Sequence, residues 1–269
     1  MKLRKLFAVI MGVLAIEGVV LIGIFVLSPG DKVYGEMDQS TGSGSKEREC
    51  QNDRSGDSTK EKRERAGQKG EQEARKIYEK NKQLLILVNA KKALPEGYDA
   101  SLRTICSGRL QASDRMYDEL ADMLENASAK GYRYWIASAW RSRQKQQKLV
   151  DQDVRAGMEK GMSYEQALKE TYKETMPAGH SEHETGLALD ILCSGNMAMD
   201  RSQETEPGNL WLRENSWRYG FILRYPENKK SLTGINYEPW HFRYVGKKAA
   251  AYMHSHNLTL EEFWEELMD

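Results

Sequence analysis

Two short segments carry the side chains best suited to chemistry. Residues 180–191, HSEHETGLALDI, contain His183 and Asp190 with Gly186 between them, and residues 237–245, YEPWHFRYV, contain Glu238 and His241. If residues 187–190 are extended, Ala188 and Asp190 share one face while Leu187 and Leu189 share the other. A carboxylate aimed into a core needs a partner, because burying it alone is very unfavourable. A turn at Thr185–Gly186 would fold His183 back beside Asp190, and His241 on a neighbouring strand would supply a third group. Zinc accepts imidazole and carboxylate together, and three protein ligands with one open position make a catalytic site. Such an ion acidifies water, and a nearby carboxylate can take the proton. Glu238, at a bend enforced by Pro239, suits that role better than Glu184, which a tight turn holds next to a ligand. The competing reading of Glu238 and His241 is a surface ion pair beside a packed Trp240. There is no His-Glu-x-x-His, so the thermolysin arrangement is excluded. His180 is a candidate rim residue, while His254 and His256 end a helix whose dipole they complement.

The elements that must position these groups follow from periodicity. Met116, Leu120, Met123 and Ala127 line one face of a helix expected over residues 110–130, stopped by Gly131. Residues 133–140, RYWIASAW, have the aromatic and β-branched content of a strand, and a polar helix follows from Ser142. Ser163 with Gln166, and Thr259 with Glu262, have the spacing of capping boxes. Strands are expected at 84–89 (LLILVN), 187–192, 221–224 and 240–245, and helices at 71–82 and 210–219. Helices and strands mix without regular alternation, which predicts an α+β fold with an antiparallel sheet carrying the zinc site and helices around it.

Composition bounds the rest. The chain has 269 residues, with 40 Lys plus Arg balancing 40 Asp plus Glu. That balance speaks against a nucleic-acid partner, which calls for a basic excess on one face. Residues 6–27 are apolar apart from Glu17 and a few glycines, long enough to cross a hydrocarbon core about 30 Å thick. The strongly apolar side chains outweigh Glu17. Lys2, Arg4 and Lys5 before it place the N-terminus in the cytoplasm and the remainder outside. No convincing small-residue cleavage site follows, which favours an uncleaved anchor. The expected organisation is a cytoplasmic tip and transmembrane helix at 1–27, a disordered polar tether at 28–82 that is helical at its end, and one folded domain at 83–269. Three irregularly spaced cysteines, Cys50, Cys106 and Cys193, argue against a disulfide framework, and Cys106 and Cys193 read as small buried apolar residues.

Together the two segments resemble the paired motifs of the VanY-type D-alanyl-D-alanine carboxypeptidases, relatives of the dipeptidase VanX. The family pattern, Ser-x-His-x-x-Gly-x-Ala-x-Asp and then Glu-x-x-His, is matched by Ser181, His183, Gly186, Ala188, Asp190, Glu238 and His241. The likeness also takes in ILVN, SAWRSRQKQQ and RYGFILRYP, and so covers almost all of the folded region. It implies one zinc ion on His183, Asp190 and His241, with Glu238 as general base and Arg141 stabilising the oxyanion. It further implies that Ser181 binds the substrate carboxylate, with Gln146 and Trp240 as further substrate contacts. Trp140 and Ala139 stand where tyrosine and glycine are common, which bears on pocket shape rather than on chemistry. The implied reaction removes the terminal D-alanine from peptidoglycan stem peptides at the outer face of a bacterial membrane, with a link to vancomycin-type glycopeptide resistance. A peptidoglycan endopeptidase, a D,D-dipeptidase of the same zinc pattern, and a non-catalytic wall-binding module are the alternatives.

Overall fold

A computed structural model describes residues 55–268, with side chains from residue 67. The expected transmembrane segment and Cys50 lie outside the described residues. Among the described residues no helix is long and apolar enough to cross a membrane.

The centre is a four-stranded antiparallel sheet built from β3 (Tyr134–Ser138), β4 (Ala188–Cys193), β5 (Phe221–Leu223) and β6 (His241–Tyr244), in the order β3-β4-β6-β5. A hairpin of β1 (Leu102–Ile105) and β2 (Leu110–Ser113) precedes it. The helices are α1 (Ser55–Asn81), α2 (Tyr117–Ala129), α3 (Arg143–Glu159), α4 (Tyr164–Thr171), α5 (Pro207–Asn215), α6 (Lys230–Thr233), α7 (Lys247–His256) and α8 (Leu260–Glu265). The α+β class with an antiparallel core is as expected. Every residue of β4 and β6 is buried. Leu187, Leu189 and Ile191 pack with Phe221 and Phe242, and Met116, Leu120, Met123 and Ala127 of the expected helical stripe join them in one core. The two anticipated capping boxes are formed, Ser163 with Gln166 and Thr259 with Glu262.

Three expectations need correction. Residues 84–89 are not a strand: Leu84 and Ile86 give their carbonyls to Arg243 Nη2 and Leu85 gives its carbonyl to Trp264 Nε1, so no ladder forms. The helix expected from residue 110 starts only at Tyr117, because Leu110–Ser113 pairs with Leu102–Ile105. The helix expected at 71–82 is longer, from Ser55, so this part of the tether is ordered. Ala74 and Ile77, three residues apart on one face, pack with Ala249, Ala250 and Met253 of α7, which moves the start of the core back from residue 83. Cys193 is buried as expected, whereas Cys106 is half-buried at the tip of the β1–β2 hairpin; both are free thiols.

Candidate active site

Sheet register places the first two predicted metal ligands side by side. Asp190 of β4 and His241 of β6 are direct cross-strand partners, a relation that sets their Cβ atoms about 5 Å apart. The third comes from the turn before β4. Residues Glu182–Thr185 form a single 3-10 turn closed by Gly186 in the left-handed region at φ 73°. Only glycine adopts that conformation without strain, and a side chain there would press on Leu102 and the Ser113 backbone, 3.2 Å from each. The turn carries His183 back over Asp190, as the sequence suggested. Arg141 N donates to the His183 carbonyl (3.2 Å), which ties the turn to the end of β3.

The three side chains converge in a buried cluster. His183 Nε2 lies 3.3 Å from Asp190 Oδ2, and His241 Nδ1 lies 3.3 Å from Asp190 Oδ1. One ligand atom from each residue falls within 4.8 Å of the others. Glu238, held at the turn by its N–H bond to the Tyr225 carbonyl, brings Oε2 to 3.5 Å from His241 Nδ1. It is buried beside the cluster rather than paired at the surface, which removes the competing reading. Glu184 is engaged elsewhere, accepting from Gly179 N at 2.7 Å and facing Arg143 Nε at 3.6 Å.

These residues fit zinc in ways that do not depend on the sequence pattern. His183 Nδ1 lies 2.7 Å from the Ala139 carbonyl oxygen, a contact that only an N–H satisfies. Its Nε2 lone pair therefore points into the cluster, the orientation that metal-bound histidines adopt. Asp190 Oδ1 is buried without a hydrogen-bond donor, an orphan that a cation would satisfy. Two nitrogens and a carboxylate oxygen are the donor set of a catalytic zinc site.

Electrostatics agree. Burial works against the charge on Asp190, yet His183 and then His241 hold its carboxyl well below the usual range. Burial, then the nearby Arg141 charge, pulls His183 down to about 4, which keeps a neutral lone pair available. His241 is pushed up to about 9: burial opposes this, but the facing carboxylates of Asp190 and Glu182, at 3.3 and 3.7 Å, overcome it. A proton on His241 thus stands where a cation would stand. Glu238 is pushed up to about 8, chiefly by burial, with Asp190 and Glu174 adding to the push against His241 and Arg141. A divalent charge beside it would act in the opposite direction.

The predicted substrate residues line the same cavity, of about 140 Å³: Arg141, Gln146, Ser181 and Trp240. Gln146 donates to the Met176 carbonyl at 2.6 Å, and its Oε1 is buried without a partner. Arg141 Nε is likewise buried and unpartnered. His180 lies outside this lining, tied through Nδ1 to the Asn89 carbonyl at 2.7 Å. Sequence reasoning missed Tyr225, whose ring packs 4.8 Å from that of His241, and Glu182, which faces the far side of the same imidazole at 3.7 Å. The signal for Glu182 was a carboxylate set between Ser181 and His183, directly beside an expected metal ligand.

A sequence profile for VanY, D-alanyl-D-alanine carboxypeptidase, matches residues 109–247, just over half of the chain. The chain belongs to the VanY family. An Enterococcus faecalis D-alanyl-D-alanine carboxypeptidase is 38% identical over 179 residues, which span 66% of this chain and 65% of that protein. Among solved structures of the family, a zinc-bound Glu-to-Ala variant of the vancomycin-resistance D,D-pentapeptidase VanY from a VanB-type cassette superposes with a TM-score of 0.62. It is 37% identical, over 68% of this chain and 99% of that one. VanYB in complex with D-alanine-D-alanine matches with the same score and identity, over 97% of its chain.

Proposed function

We propose that the protein is a zinc-dependent D-alanyl-D-alanine carboxypeptidase that removes the terminal D-alanine from peptidoglycan pentapeptide stems. The observation that carries this reading is the convergence of His183, Asp190 and His241 in one buried cluster, with Glu238 beside it. When bound there, zinc supplies Lewis acidity at the scissile carbonyl and acidifies water near neutral pH. Glu238 takes the proton of the attacking water on a carboxylate oxygen and then hands it to the departing D-alanine amine. The Arg141 guanidinium, with Nε free of other partners, steadies the negative charge that develops on the carbonyl oxygen. Ser181 and the unpartnered Gln146 Oε1 orient the terminal residue, and the Trp240 ring closes one wall against solvent.

A second cavity, of about 570 Å³, is lined by Trp140, Arg141, Ser142 and residues 94–102. It shares Arg141 with the lining of the catalytic cavity, and it gives room for the upstream part of a stem. A strict dipeptidase has no use for that room, so the cavity favours the carboxypeptidase. We place the apolar segment 6–27 in the bacterial membrane as a single-pass anchor, with the polar stretch after it as spacer and the catalytic domain outside. In that position the enzyme would remove the D-alanyl-D-alanine ends that vancomycin-type glycopeptides bind. D-alanine release should be measured from a pentapeptide stem, free D-alanyl-D-alanine, a tetrapeptide stem and crosslinked wall. Release from the pentapeptide, lost with chelator, is expected. Hydrolysis confined to the dipeptide or the crosslinked material would assign one of the alternatives. Recovery of the full-length chain in the wash-resistant membrane fraction tests the anchor, and recovery in the soluble fraction refutes it.

A further inference from the structure

We infer that Glu182 is a positioning residue for His241, and that helix α8 holds it in place through Arg224. The inference rests on the reading of His241 as a zinc ligand. Glu182, Arg224, Arg243 and Glu261 form a buried cluster of two negative and two positive charges. Arg224 and Glu261 pair as a fork, with Nη1 and Nη2 each 2.7 Å from a different carboxylate oxygen. Glu182 is bonded in another way. Arg224 Nε and Arg243 Nη1 both donate to its Oε1, each at 2.8 Å, which leaves Oε2 with no donor.

That free oxygen faces His241 Nε2 at 3.7 Å, and Nε2 is itself buried without a partner. A carboxylate kept only to neutralise two arginines would share both oxygens between them, as Glu261 does with Arg224. Here one oxygen is reserved, and the nearest unsatisfied donor is the imidazole nitrogen that points away from Asp190. Donation of Nε2–H to Glu182 fixes the tautomer of His241 with its Nδ1 lone pair toward Asp190 Oδ1, and it raises the basicity of the ring. It is the counterpart of the His183 contact to Ala139, made with a charged acceptor.

The same chain of contacts brings remote segments to bear on the metal site. Glu261, on α8, also accepts from Asn89 Nδ2 at 3.1 Å. Arg243 Nη2 is held by the carbonyls of Leu84 and Ile86, each at 2.9 Å. The apolar segment 84–89 and the last helix therefore brace the two arginines that aim Glu182.

The test uses the full-length chain loaded with zinc or cobalt. Glu182→Gln should raise the zinc dissociation constant 10- to 100-fold in a chelator competition, the range usual for loss of such a partner. It should also shift the visible absorption of the cobalt form. Glu261→Gln, which does not touch a ligand, should move both readouts in the same direction by less. A folded Glu182→Gln protein with zinc affinity within twofold of wild type and an unchanged cobalt spectrum would overturn the inference. If Glu182→Gln does not fold, nitrogen-15 histidine spectra of the zinc-loaded wild type decide. A slowly exchanging, strongly downfield His241 Nε2 proton, the mark of a bond to the Glu182 carboxylate, supports the inference, and an Nε2 proton that exchanges freely with water overturns it while leaving the zinc site intact. A wild-type chain that takes up no zinc overturns both this inference and the reading of the site.

Discussion

Replacing Glu238 by glutamine separates its two physical roles. The amide keeps the shape of a side chain that is 6% exposed but cannot accept the water proton. Loss of a positioned general base lowers turnover by about 10²- to 10⁴-fold, roughly 3–5 kcal/mol of transition-state stabilisation. Glu238 is not among the three ligands, so zinc should stay at one ion per chain and KM should change little. The metal-free protein should move the other way. The ordinary carboxyl value of 4.5 is pushed to about 8 by burial, so at pH 7 the fold holds a proton that the unfolded chain releases. That protonation costs about 3 kcal/mol at pH 7. A group raised in the folded state contributes fully below its unfolded value, and its contribution is lost as pH rises toward the folded value. Metal-free Glu238→Gln should therefore melt higher than metal-free wild type at pH 7–8, with the gap closing near pH 4.5. Calorimetry of the stripped proteins, with D-alanine release from a pentapeptide by the loaded ones, reads both effects. Turnover within threefold of wild type would remove Glu238 from catalysis, and a melting gap independent of pH would refute the electrostatic argument.

Arg141→Ala should reduce kcat/KM by about 10²- to 10³-fold, the scale of losing one oxyanion donor, with zinc content unchanged by metal analysis; retained activity would remove it from that role. Gly186→Ala places a side chain at φ 73° against Leu102 and Ser113. It should destabilise the turn by about 1–3 kcal/mol, read as a lower Tm and weaker zinc retention, and an unchanged Tm would contradict the account of the turn. Zinc uptake must displace the proton that the raised pKa holds on His241. Affinity measured by competition should rise with pH through the neutral range by up to about tenfold per pH unit, whereas a flat profile would count against His241 as a ligand.

The chemistry was legible because residue type and spacing carry it. Alternation in residues 187–190 put Asp190 on the inner face, and Gly186 marked the turn that returns His183. The pairing that brings Asp190 opposite His241 joins strands about fifty residues apart, and no local pattern encodes it; the family resemblance supplied it instead. The run at 84–89 has the composition of a strand, but composition does not say where its carbonyls go, and here they receive Arg243 and Trp264. Arg224 and Arg243 were the missed clue. Each sits in an otherwise apolar strand segment, FILRY or HFRYV, where a buried guanidinium demands carboxylates. Asking which carboxylates would have led to Glu182 and Glu261.

Anomalous diffraction at the zinc edge, on crystals of the loaded protein, tests the central claim most directly. One peak per chain is expected, at about 2.0–2.2 Å from His183 Nε2, a carboxylate oxygen of Asp190 and His241 Nδ1, with Glu238 nearby but unbonded to it. A peak held by other residues, or none in protein that hydrolyses the pentapeptide, would contradict it.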